Sequence, residues 1–172
     1  MFARLRKGAV PEDVGLIQLV KRERVLAWCP IDPAAGHLVA TTARLIVLRN
    51  EGQQQEWPWD RIIHGQWDTL PSGRGHLRVT VPDGGRTTMS FPLNEPGSIP
   101  AVVRDRVSAT MAGDFERVIA DGIRVRFIGR RPIGQREVRW TVMFPAGVDP
   151  TDPDLRAAAD AQLNELKATL GS

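Results

Sequence analysis

The chain has 172 residues, a formal net charge of +3, 42% hydrophobic and 25% charged residues, and a single cysteine, Cys29. That balance is typical of folded globular proteins, and the length suffices for one domain, or one domain with an appendage, around a real core. No apolar run approaches the roughly 18–20 residues that cross a bilayer, the basic N-terminus lacks the pattern of a signal peptide, and one cysteine cannot form an internal disulfide. A soluble protein in a reducing cytoplasm is the expectation.

Residues 1–10 are basic and aperiodic and read as a loose arm. A short helix is expected from Pro11, with Glu12 and Asp13 in the first turn and Val14, Ile17 and Val20 as its apolar stripe. Six strand-like segments follow. Val25–Pro30 ends at Asp32-Pro33-Ala34-Ala35-Gly36, and His37–Thr41 and Leu45–Arg49 come next. The fourth segment surrounds Trp57-Pro58-Trp59-Asp60-Arg61-Ile62-Ile63-His64-Gly65-Gln66-Trp67, bending at Pro58 or Gly65. His76–Val81 and Arg86–Leu93 alternate around a Pro82-Asp83-Gly84-Gly85 turn. Short strands separated by frequent turns indicate an antiparallel sandwich or barrel.

An amphipathic helix over 98–112 then caps the barrel, with Ser98 as N-cap, Pro100 in the first turn and a stripe of Ile99, Val102, Val103, Val107 and Met111. Ile123, Val125 and Phe127 alternate with Arg124 and Arg126; Val138, Trp140, Val142 and Phe144 do so with Glu137, Arg139 and Thr141. This reads as a β-hairpin with one apolar and one arginine-rich face, its Trp140 side packed on the helices or extending the barrel sheet. A last helix has Asp152 as N-cap, Pro153 at its first position, a stripe of Leu155, Ala159, Leu163, Leu166 and Leu170, and Gly171 at its end. The expected class is α+β. Its organisation is an arm and short helix (1–22), a barrel with its capping helix (23–113), and a hairpin and helix (114–172) appended to the same compact unit.

Thr41-Thr42-Ala43-Arg44-Leu45-Ile46-Val47 resembles a pattern of the bacterial pleckstrin-homology-like family: a Thr, two turn residues, and Arg-Leu opening the next strand. Trp59-Asp60-Arg61-Ile62 resembles the aromatic-acidic-x-Ile step that follows one strand later. The resemblance spans roughly 23–112. It implies a partly open antiparallel barrel capped by the helix at 98–112, and a binding or assembly module with no catalytic residues to carry over.

Three of the five tryptophans lie between 57 and 67. Extended alternation puts Trp57, Trp59 and Arg61 on one face, but large rings more often fill a core than greet a partner. Trp67, which precedes a loop, is the candidate partner-facing aromatic. The second candidate surface is Arg124, Arg126, Arg130, Arg131, Arg136 and Arg139. Residues 117–139 hold seven arginines against Asp121 and Glu137. Guanidinium groups suit phosphate or carboxylate. The neighbouring aromatics Phe127, Trp140 and Phe144 fall on the opposite face, which disfavours nucleic acid read by stacking. A solvated face in an arginine-rich composition (20 Arg to three Lys) explains the cluster as well. The Ile31–Gly36 loop has Asp32 and no cation, against lipid-headgroup binding; Arg4, Arg6 and Lys7 leave at most weak membrane contact.

No catalytic, cofactor or metal motif emerges. His37, His64 and His76 stand apart, and Cys29 in an apolar strand reads as a core residue. Asp149, Asp152 and Asp154 lack the mid-loop glycine and twelfth-position glutamate of a calcium loop and read as capping residues. The expectation is a non-enzymatic protein-binding or assembly module, self-association included. The alternative is an anion-binding module for nucleic acid or a phosphorylated partner, using the arginines of 117–139.

Overall fold

The computed structural model describes residues 10–32, 36–49, 53–82 and 87–170. The arm with Arg4, Arg6 and Lys7, most of the Asp32–Gly36 and Pro82–Gly85 turns, and Gly171 lie outside the described residues. Along the chain stand α1 (Glu12–Gly15), β1 (Val25–Pro30), β2 (His37–Thr41), β3 (Arg44–Leu48) and β4 (Gln54–Pro58). A 3-10 turn (Trp59–Arg61) leads to β5 (His64–Thr69), β6 (Gly75–Val81), β7 (Thr87–Leu93) and α2 (Ile99–Ala109). Then come β8 (Met111–Val118), a 3-10 turn (Ala120–Gly122), β9 (Arg124–Arg130), β10 (Arg139–Met143) and α3 (Pro153–Leu170).

The class is α+β, with three antiparallel sheets in the orders β1-β2-β3-β4, β5-β6-β7 and β10-β9-β8. Among the described residues none closes into a barrel. The expected fourth strand is in fact two, because the chain leaves the first sheet at Pro58, turns through Trp59–Arg61 and enters the second as β5. At the other end the Asp32 amide donates to the Pro92 carbonyl at 2.9 Å. A ladder there would need donors that Pro30 and Pro92 lack.

The chain divides into two compact units, Met1–Ala109 and Thr110–Ser172. In the first unit, Leu38, Ala40, Leu45 and Val47 of one sheet and Leu77, Val79 and Phe91 of the other share a core with Trp59, Ile62, Ile99, Val103 and Val107. Cys29 is fully buried there. Gly65 on β5 allows α2 its close approach: a Cβ at that position would stand 2.8 Å from Val103 Cγ1. The outer face of the first sheet is covered too, since Val39, Ile46 and Leu48 pack under Val14 and Ile17. Burial on both faces explains why β2 and β3 read as unbroken apolar runs rather than as alternation. Val14 and Ile17 thus keep their expected role, but α1 is a single turn and Val20 is exposed.

The expected continuation of α2 to 112 fails. The helix ends at Ala109, and Met111, expected on its buried stripe, opens β8 and is exposed. The expected hairpin is therefore two strands of a three-stranded sheet with β9 at its centre. Val125, Phe127 and half-buried Trp140 and Val142 pack with Ala159, Leu163 and Leu166 of α3. Asp152 caps α3 as expected, its Oδ1 accepting from the amides of Asp154 (2.9 Å) and Leu155 (3.2 Å).

Candidate functional site

The two short motifs meet in space. Thr41 Oγ1 lies 2.6 Å from Glu23 Oε1 and accepts from the amides of Ala43 (3.1 Å) and Arg44 (2.9 Å). A hydroxyl has one proton, and the short approach to a carboxylate claims it. Arg44 then donates through Nε to Glu23 (3.0 Å), pairs with Glu56, and reaches the Gln18 carbonyl at 2.8 Å. Trp59, fully buried, donates from Nε1 to the Thr41 carbonyl at 3.0 Å. The Glu23 side chain has no exposed surface. Burial alone would raise its pKa; donors from Thr41, the Val20 amide and Arg44, with the Arg44 charge, outweigh this and hold it below the usual range. This cluster fastens strands and the 18–23 segment together. It offers a ligand nothing.

Trp67 is half-buried against the main core. Its ring borders a groove of about 560 Å³ between the β5–β6 ladder and the start of α2. Leu77, Pro96, Pro100 and Ala101 make the walls largely apolar, and Arg104 supplies a cation at the rim. Trp57 is half-buried and Trp59 interior, so the tryptophan stretch is divided between core and groove rather than presenting one aromatic face.

The six candidate arginines do not form one free cationic surface. Arg126 is clamped by Asp114 (Nε–Oδ1 2.7 Å, Nη2–Oδ2 2.5 Å) and Arg124 bonds Glu116 at 3.0 Å. These are diagonal pairs across the β8–β9 ladder, where Glu116 faces Arg126 and Asp114 faces Ile128. The Arg126 hydrogen bonds lower the Asp114 pKa against a smaller opposing effect of burial. Arg130 is only 3% exposed and donates to Thr110 Oγ1 at 3.2 Å. Its burial lowers its pKa, with Asp114 opposing and Arg126 adding. Arg139 is exposed on β10, opposite Arg130 in register. Sequence reasoning missed Asp114 and Glu116, whose alternation on β8 was the available signal.

Arg131 and Arg136 go elsewhere. Both are exposed on the loop joining β9 to β10, and both line a groove of about 470 Å³ with Lys167 of α3. Glu137, Val138, Trp140 and Leu170 complete the lining. The Trp140 ring lies across Gly129, its register partner, where a Cβ would meet it at 3.1 Å, and it stacks on Phe115 with centroids 6.3 Å apart. Lys167 was not among the sequence candidates; only the fold brings it beside the loop arginines.

The remaining polar candidates are dispersed. His37 Nδ1 lies 2.6 Å from Asp13 Oδ2 and edge-on to Trp28. His64 is exposed on β5, and His76 borders a recess of about 240 Å³ with Asp32 and Arg74. Asp149 accepts from the Thr151 hydroxyl (2.7 Å) and amide (2.8 Å), which lower its pKa. Among the described residues no three His, Cys, Asp or Glu side chains gather as a metal set, and no helix is long and apolar enough to cross a membrane. No protein-family profile, curated protein or solved structure matches the chain.

Proposed function

We propose that this chain is a non-enzymatic protein-binding module of pleckstrin-like architecture, working in the cytoplasm. The observation that carries the binding reading is the groove beside Trp67, whose apolar walls end, among the described residues, at one cation, Arg104, which stands 3.7 Å from Asp105 in an exposed pair. An aromatic ring set among prolines and an alanine removes apolar surface from water on contact, and such rings dominate binding energy. The partner that fits is an extended apolar segment with an acidic residue for Arg104. The architectural part is supported by the element order, four strands, three strands and a helix, and by the Thr41 and Trp59 motifs gripping each other.

The alternative, a broad arginine face for nucleic acid or a phosphorylated partner, loses force because Asp114 and Glu116 stand among its arginines. The test places a photo-crosslinking residue at Gln66, on the groove wall, in the native cell. We expect an adduct that disappears when Ala101→Arg fills the groove. An adduct of two copies would identify the partner as the chain itself. Absence of any adduct, or one indifferent to Ala101→Arg, would refute the proposal.

A further inference from the structure

We propose that the groove between the β9–β10 loop and the last turn of α3 binds a small organic phosphate monoester with an apolar group. Arg131, Arg136 and Lys167 line it, with Glu137 the one carboxylate among the described residues of its walls. Among the described residues none of the three cations has an acidic side chain within ion-pair distance, in contrast to Arg124 and Arg126 on the sheet face. The described lining residues thus carry a net charge of two positives, matching a phosphate monoester near neutral pH, which bears about −1.5 to −2. Two guanidiniums and an ammonium supply more donors than one carboxylate can accept, and phosphate oxygens suit them.

The other half of the lining is apolar. Val138 and the Trp140 ring form a surface backed by Phe115 and lying over Gly129, and Leu170, exposed, extends it. Free phosphate would leave this surface idle, whereas an aryl or alkyl ester covers it. A volume of about 470 Å³ falls within the roughly 300–1,000 Å³ of small-molecule sites. The site is independent of the Trp67 groove: it belongs to the other unit and to another class of ligand.

The experiment is calorimetric titration of the full chain with phenyl phosphate, inorganic phosphate and benzoate, with the Trp140 indole N–H followed by NMR. Phenyl phosphate is expected to bind at least fivefold more tightly than either other probe and to shift the Trp140 signal. Arg136→Ala with Lys167→Ala should weaken it tenfold or more, and Arg124→Ala with Arg126→Ala should leave it unchanged. Leu170→Ser should weaken phenyl phosphate but not inorganic phosphate. The proposal is overturned if phenyl phosphate gives no saturable binding at millimolar concentration, if the two double-alanine variants weaken it equally, or if inorganic phosphate binds as well as the ester.

Discussion

Replacing Arg44 by alanine removes the cation from a carboxylate with no exposed surface. Breaking a buried pair from one side typically costs about 3–5 kcal/mol, because the remaining charge is stranded. Glu23 keeps two donors, the Thr41 hydroxyl at 2.6 Å and the Val20 amide at 2.9 Å, which places the expected loss at the lower end, about 3 kcal/mol. For a unit of this size that corresponds to a fall in Tm on the order of 10 °C or more. Urea unfolding followed by tryptophan fluorescence in a Trp140→Phe background reads the first unit alone, since the other four tryptophans lie there. The pH dependence adds a second check. Glu23 has a lowered pKa when folded, so its contribution is complete above its ordinary value of 4.5 and is lost as pH falls through the folded value. Glu23→Gln should therefore trail the parent at pH 7 and close the gap in acid. A loss below about 1 kcal/mol for Arg44→Ala, the level of an exposed ion pair, would refute the reasoning. So would a Glu23→Gln deficit that does not change with pH.

Gly65→Ala puts a methyl group 2.8 Å from Val103 Cγ1 in a packed core and should cost about 1–3 kcal/mol, read as a lower urea midpoint. Asp152→Ala removes the cap of α3 and should cost about 1 kcal/mol; the loss of helical circular dichroism should begin at a lower temperature. Asp114→Asn weakens a clamp between partly exposed side chains and should cost less than about 1 kcal/mol. Because the Asp114 pKa is lowered on folding, that cost should be complete at neutral pH and shrink as pH falls below the ordinary value of 3.8 and through the folded value. Unfolding midpoints at pH 7 and pH 2.5 test the sign.

What the sequence made legible follows from how local each signal was. The strands β1 to β3, β6 and β7 and the helix α3 announce themselves through apolar runs, turn residues and the Asp152-Pro153 start, all within a few positions. The end of α2 and the start of β8 were hidden by coincidence: Met111 falls on the helical stripe of Val103 and Val107, and the Phe115 face of β8, with Gly113, Phe115 and the exposed Arg117, holds one apolar residue among three. Strand periodicity vanishes when a glycine makes room for a ring and an arginine lies over a phenylalanine, as Arg117 does at 5.5 Å from the Phe115 ring. With β8 unseen, Asp114 and Glu116 could not be set against Arg126 and Arg124, and the arginine face looked uncompensated. The Trp67 groove was half legible, since the exposed end of a strand was recognised but not that Pro96 and Pro100 would wall it. Lys167 and Arg131 are 36 positions apart in sequence, and no periodicity connects them.

The double burial of the first sheet has a practical consequence at the N-terminal end. Residues before the first strand are commonly the ones trimmed to obtain a minimal fragment, and here the leading segment carries exposed Leu16, Leu19 and Val20 that invite removal. Cutting at residue 20 would uncover Val39 and Ile46 in mid-sheet, together with half-buried Trp28, and would take away the Gln18 carbonyl on which Arg44 rests. An apolar sheet face would then meet water, the kind of patch that draws copies of a protein together. Any association seen in such a fragment would report the missing cover rather than the protein's own partner.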